Sequence, residues 1–151
     1  MEKIGEIMLI NEHMSAALEE SRKAYAIGEI PVGCVITHKN QIIAKAHNLR
    51  ETGKNAIFHA EINAISQACA QLDRWRLDGC DIYVTLEPCM MCAGAIINAR
   101  IERLFFGAFD EKYGGVCHIQ NDSRLKIYGG INEEECVKVL NEFFKELRRK
   151  S

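Results

Sequence analysis

Two short stretches of the 151-residue chain carry side chains able to do chemistry: His59-Ala60-Glu61 and Pro88-Cys89-Met90-Met91-Cys92. Alone, a His-x-Glu is a chance occurrence, and a Cys-x-x-Cys is equally a redox pair or half of a zinc ribbon. Together they offer one imidazole and two thiolates, from His59, Cys89 and Cys92, a donor set suited to zinc. Three protein ligands leave one tetrahedral position open, which marks a catalytic rather than a structural centre. An open zinc position lowers the pKa of bound water toward ~7. Glu61 lies two residues from His59 and need not point at the metal, so it suits a carboxylate that moves protons beside it. Cys117 or His118 is the alternative fourth ligand, which would close the site and make it structural.

These residues need elements to position them. His59 to Ala70 is alanine-rich and helical in period, with Ile62, Ile65 and Cys69 on one face. Cys89 to Ala99 reads as a second helix with Pro88 at its start. Between them Asp81-Ile82-Tyr83-Val84-Thr85 is a short strand, left through Leu86-Glu87-Pro88. Both ligand groups therefore begin helices, where outward N–H groups favour thiolates. Cys89 and Cys92, three apart, share one side of a turn. Arg103-Leu104-Phe105-Phe106 is a further strand, and strand–helix–strand implies a parallel crossover.

Upstream, Met14, Ala17, Leu18, Ser21 and Tyr25 recur at helical spacing, so a helix spans roughly 10–27 and Gly28 ends it. Val32 to Thr37 and Gln41 to Ala46, joined by His38-Lys39-Asn40, read as a β-hairpin. A polar loop covers 48–57, and 110–124 is irregular. Leu125 to Tyr128 offers a last strand. The final helix carries a stripe of Cys136, Val139, Leu140, Phe143, Phe144 and Leu147. Asn132 caps it, Glu133 to Glu135 lie in its first turn, and Arg148, Arg149 and Lys150 in its last match the macrodipole.

Bulk properties narrow the classes. At this length residues 1–151 form one domain with a sizeable core. A hydrophobic share of 48% and a charged share of 26% are ordinary for a globular protein. A net charge of −2 excludes binding to nucleic acid by overall charge and leaves only local contacts. Met1-Glu2-Lys3-Ile4-Gly5-Glu6 offers no apolar run for a secretory signal. The longest apolar stretch falls short of the ~18 residues of a membrane span. Seven cysteines without an export signal point to reduced thiols in the cytoplasm. Cys69, Cys80 and Cys136 read as small core residues, Trp75 as core or interface, and His47 as packing or pocket lining.

The pairing of His-x-Glu with Pro-Cys-x-x-Cys is the known signature of zinc-dependent nucleobase deaminases. The chain resembles the bacterial tRNA adenosine deaminases, within the cytidine and deoxycytidylate deaminase superfamily, well beyond that signature. The similarity runs through Glu29-Ile30-Pro31-Val32-Gly33-Cys34-Val35, Ala46-His47-Asn48, Trp75-Arg76-Leu77 and Thr85-Leu86-Glu87-Pro88-Cys89. It continues in Cys92-Ala93-Gly94-Ala95-Ile96, Phe106-Gly107-Ala108-Phe109-Asp110 and Gly129-Gly130-Ile131, covering about 14 to 147. It implies an α/β fold, three-layer α/β/α with a mixed five-stranded sheet, cytidine deaminase-like. It also implies a homodimer, one Zn2+ per chain and conversion of adenosine to inosine in a tRNA anticodon loop. Asn48, Ala60, Phe58 and Asp110 then stand as substrate-binding residues beside catalytic Glu61.

Two departures bear on the substrate. Where the family usually reads Asp-Pro-Thr-Ala before His-Ala-Glu, this chain has Asn55-Ala56-Ile57-Phe58, which sets a ring beside His59. The stretch Glu111 to His118 reaches the last strand early, and Phe109 stands where an arginine is frequent. They favour the alternative of a deaminase for a free base or nucleoside such as guanine, adenine or cytosine. The alternative from another class is a non-catalytic zinc-binding interaction module, against which the retained Glu61 argues. If RNA is bound, the available cations are Lys45, Arg50, Lys54, Lys112 and Arg148 to Lys150.

Overall fold

A computed structural model describes residues 2–151. In chain order the elements are α1 Glu2–Ala26, β1 Gly33–His38, β2 Gln41–His47, α2 Ala60–Leu72, β3 Cys80–Leu86, α3 Met90–Asn98, β4 Arg103–Ala108, β5 Lys126–Tyr128 and α4 Glu133–Lys150, with a 3-10 turn at Val116–His118. The strands form one five-stranded sheet in the order β2-β1-β3-β4-β5. The hairpin β1–β2 and the pair β1–β3 are antiparallel, whereas β3, β4 and β5 run parallel, so the sheet is mixed as expected. The hairpin turns at Lys39 and Asn40, both at positive φ (52° and 64°), the backbone a two-residue hairpin turn demands.

Alternating residues of the central strands face opposite sides, as period-two strands require. Cys34, Ile36, Ile82, Val84, Leu104 and Phe106 pack under Ala60, Ala64, Ala68 and Ile96 of α2 and α3. Val35, Tyr83 and Phe105 pack under Met14, Ala17 and Leu18 of α1 and Cys136 and Val139 of α4. A sheet covered on both faces makes a three-layer α/β/α structure, and it explains why β1, β3 and β4 read as continuous apolar runs. No helix among the described residues is long and apolar enough to cross a membrane.

Three expectations change. Helix α1 starts at Glu2, eight residues before the periodic segment; its first turns carry Ile4, Ile7 and Met8 into solvent and so lie outside the buried stripe by which the helix is read. A Glu6–Arg103 ion pair of 3.0 Å ties that extension to β4. On α2 the buried residues are Ala60, Glu61, Ala64 and Ala68, not Ile62, Ile65 and Cys69, which are half-buried. An alanine face lets the helix lie close on the sheet. Asn132 does not cap α4. It sits in the left-handed region (φ 51°), and its side-chain Nδ2 donates to the Asn11 carbonyl on α1 at 3.3 Å.

Candidate metal centre and active site

His59 is the residue just before α2, and Cys89 the residue just before α3. Neither side chain caps its helix. Instead the two point at one another across the ends of β3 and β1. The His59 Nδ1 lies 3.6 Å from Cys89 Sγ and 3.5 Å from Cys92 Sγ. The three donor atoms all lie within 4.8 Å of one another. A tetrahedral zinc with Zn–N of ~2.05 Å and Zn–S of ~2.3 Å has N···S edges of about 3.6 Å, so the donor set fits that ion in type and spacing. The residues expected as ligands are thus brought together from 30 residues apart. Cys117 and His118 are not part of the cluster, and Cys117 is exposed on the 3-10 turn.

The electrostatics match a site for a cation. The contact with Cys92, together with that to His59, holds the Cys89 thiol far below the usual thiol range. The same contact with Cys89, and then burial, drives Cys92 upward. The negative charge therefore rests on the half-buried sulfur at the start of α3, facing an imidazole whose pKa the Cys89 bond raises against burial. Glu61 is only 4% exposed. Burial pushes its carboxyl up to about 7, with Cys89 adding to the rise and His59 opposing it. A carboxyl of that strength can give and take a proton at neutral pH.

A cavity of about 490 Å³ opens on this cluster, lined by Ile30, Val32, Asn48, Arg50, His59, Ala60, Glu61, Leu86, Glu87, Cys89, Asp110 and Tyr113. Its volume is that of a small-molecule site. Two other surface hollows lie elsewhere, one along the outer face of α4 and one among arginines where β3, β4 and β5 begin, and neither contains the cluster. Asn48 is held at both ends of its amide: Nδ2 donates to Ile30 O at 3.4 Å, and Oδ1 accepts the Arg50 N–H at 3.1 Å. Asp110 Oδ1 accepts the N–H groups of Lys112 (3.2 Å) and Tyr113 (3.0 Å), so it shapes its own loop while its other oxygen stays free.

Phe58 is the sequence-expected site residue that the structure does not bring to the cavity. Its ring lies against Gly53, where any side chain would collide with it, and its carbonyl accepts the Leu49 N–H at 2.9 Å. The ring closes the 49–58 loop on itself instead of facing a ligand. Trp75 is 60% exposed, not core, with the Arg76 and Arg100 guanidiniums 5.4 and 5.7 Å from its ring centre. His47 leaves the cavity to bond Glu20 at 3.0 Å.

Several positioning groups were not visible in the sequence. Glu87 accepts the Asp110 N–H (3.1 Å) and the Val116 N–H (3.4 Å), fastening the irregular 110–118 segment to the exit of β3. Glu29, 1% exposed, accepts from Thr52 N at 2.6 Å and Glu51 N at 3.2 Å and so holds the Asn48 loop. A loop glutamate reads as solvated in a sequence, because only the folded chain reveals which N–H groups surround it.

A mixed α/β sheet with a His/Cys/Cys cluster and a buried glutamate at the strand ends defines the deaminase class. The family model described as MafB19-like deaminase matches residues 10–148, and the chain belongs to that family. It is 46% identical over 145 residues to the tRNA-specific adenosine deaminase of Bacillus subtilis (strain 168), spanning 91% of this chain and 90% of that one. A solved structure from a study of A-to-I editing by tRNA:A34 deaminases superposes with a TM-score of 0.82 at 39% identity, covering 85% of this chain and 99% of the other. The guanine deaminase of Bacillus subtilis superposes with a TM-score of 0.64 at 30% identity, covering 74% of this chain and 75% of its own.

Proposed function

We propose that the protein, as one domain over residues 1–151, deaminates adenosine to inosine in the anticodon loop of a tRNA. The observation that carries this reading is the near-full-length likeness to a tRNA-specific adenosine deaminase, combined with a cavity that joins the metal-type cluster to Glu61 and Asn48. His59, Cys89 and Cys92 would hold one Zn2+ per chain. When bound there, zinc makes water a competent nucleophile at neutral pH.

The chain's own residues do the rest. Replacing the C6 amino group by oxygen adds one water and releases one ammonia, and it needs a proton at the ring nitrogen and another at the departing amine. Glu61 carries both, because it is the buried carboxylate that lines the cavity beside the cluster, within reach of the base. Asn48 and the Ala60 N–H orient the base, and Asp110 keeps the loop over the cavity in shape. Ile30, Val32 and Leu86 supply apolar walls against the base faces.

Local cations offset the net charge of −2. Arg50 stands on the cavity and Lys112 beside Tyr113. The Asn132–Asn11 and Tyr25–Phe143 contacts run α4 alongside α1 in the same direction. That carries Arg148, Arg149 and Lys150 toward the end of α1, next to the turn that holds Ile30. The working unit is a homodimer. Met90 and Met91, 66% and 37% exposed, lie with the exposed Gly94 on the outer side of α3, an apolar patch that a second copy would cover. Seven free thiols suit the reducing cytoplasm.

Steady-state deamination of an anticodon stem-loop, measured beside guanine, adenine, adenosine, cytosine and cytidine, tests the proposal. Inosine formed efficiently in the stem-loop supports it. Efficient deamination of guanine or another free base, with none on the stem-loop, overturns it. A 17.1 kDa monomer in sedimentation at micromolar concentration overturns the dimer.

A further inference from the structure

Tyr113 is the one phenylalanine, tyrosine or tryptophan lining the cavity, and it is 65% exposed. Its neighbour Phe109, 56% exposed, lies outside the cavity lining and packs edge-on to Phe106 at 5.0 Å. Tyr113 has no aromatic partner; only the Lys112 ammonium lies over its ring, at 5.2 Å. An exposed ring on a slack loop would be unremarkable surface. This loop is not slack. Asp110 accepts the Tyr113 N–H (3.0 Å), Gly114 N donates to Asp110 O (2.9 Å), and Gly115 N donates to Pro88 O (2.7 Å). Gly114 also pairs with Cys89, the residue that starts the Cys-x-x-Cys turn. The backbone is pressed so closely that a Cβ on Gly115 would lie 2.5 Å from Met90 N, and one on Gly114 would collide with the Glu87 carboxylate. The ring is thus held at the mouth of the cavity by its backbone, in register with the metal-type cluster, with the Lys112 ammonium over one face and the other left open.

At about 490 Å³ the cavity has room for a base but not for a folded loop of RNA. A strand that delivers a base into it leaves the neighbouring nucleotides at the rim, where Tyr113 stands with the Lys112 ammonium over its ring and where Arg50 also lines the cavity. An exposed ring accompanied by cations is how proteins hold single-stranded nucleic acid: bases stack on the ring, and phosphates meet the charges. Resting on the RNA reading above, we propose that Tyr113 stacks on the base adjacent to the target nucleotide. It thereby sets which RNA loops this chain accepts. Tyr113 touches the substrate outside the reacting centre, so it acts on capture of the strand and not on proton transfer.

The test uses the zinc-loaded protein and three stem-loops: intact, abasic at the 5′ neighbour of the target, and abasic at the 3′ neighbour. Tyr113→Ala should lower kcat/KM on the intact RNA about 5- to 150-fold, carried by KM, the range for losing one stacked base. Tyr113→Phe, which keeps the stack, should stay within about twofold of the wild type. One of the two abasic RNAs should cost the wild type a similar factor and Tyr113→Ala nothing further. Unchanged kinetics of Tyr113→Ala on the intact RNA, or losses that multiply between the variant and both abasic RNAs, overturn the inference while leaving the RNA reading intact. A wild type inert on every stem-loop but active on a free base removes the RNA reading and this inference with it.

Discussion

Glu29→Ala removes a carboxylate that is 1% exposed and accepts two backbone N–H groups, from Thr52 at 2.6 Å and Glu51 at 3.2 Å. Hydrogen bonds to a charged group contribute ~1.5–3 kcal/mol each, giving about 3–6 kcal/mol as an upper range. Glu51 and Thr52 are themselves exposed, so their freed N–H groups can turn to water, and the lower end applies: about 3 kcal/mol. At the ~2–4 °C per kcal/mol of a chain this size, the melting temperature should fall by roughly 6–12 °C. Glu29→Gln keeps one acceptor oxygen but sets an NH2 against the second N–H, so it should recover about half of the loss. Because the same loop carries Asn48, whose amide is held by Ile30 O and Arg50 N, turnover should fall as well, at unchanged metal content. The pH dependence has a definite sign. Burial alone would raise the Glu29 carboxyl, but the Thr52 and Glu51 donors outweigh it and hold it below its ordinary 4.5. Its contribution is therefore complete above pH ~4.5 and is lost as pH falls through the lower folded-state value. Thermal melts of the three proteins from pH 3 to 7 provide the assay. A Glu29→Ala protein that melts within ~2 °C of the wild type at pH 7 would refute the loop-anchor argument.

Cys89→Ser and Cys92→Ser should lose most of their zinc, whereas Cys117→Ala, whose exposed thiol is not one of the three converging donors, should keep it; metal loss in Cys117→Ala by elemental analysis would revive a closed, structural site. His13 is buried against Tyr83 at 5.1 Å, and its Nδ1 has no partner. Burial lowers its pKa, only partly offset by Asn40, Glu12 and Asp81. The unfolded chain binds the proton first, so wild-type stability should decline as pH drops below 6.5 toward the folded-state value. His13→Phe should flatten that slope, and parallel slopes in denaturant melts of the two proteins would refute the assignment.

The candidate ligand triad was legible because each half has its own local signature at a helix start and the two together make one zinc-type donor set; the spacing of the donors was not, since it depends on how α2 and α3 pack on the sheet. The parallel crossover followed from element type and apolar runs, and the mixed sheet from the family resemblance; the strand order β2-β1-β3-β4-β5 did not follow from either. What escaped was set by tertiary contact. Phe58 stands next to His59 in sequence, yet its ring turns to Gly53 because the 49–58 loop closes on itself. Asn132 has the residue type of a cap, but α1 offers its amide a carbonyl, and the backbone goes left-handed to reach it. Glu29 and Glu87 serve backbone groups distant in sequence, a role no periodicity reports. The first two turns of α1 carry exposed apolar residues and so broke the pattern by which the rest of that helix was read.

The central claim is that one buried carboxylate moves the protons of a deamination at the His59, Cys89 and Cys92 centre. The most direct measurement is the single-turnover rate of inosine formation by Glu61→Gln, with zinc content determined on the same sample. The variant should retain one zinc per chain and the wild-type melting curve while its rate falls by ~10²-fold or more, the scale for losing a positioned acid–base group. A fully zinc-loaded Glu61→Gln protein with near-wild-type turnover would contradict the account.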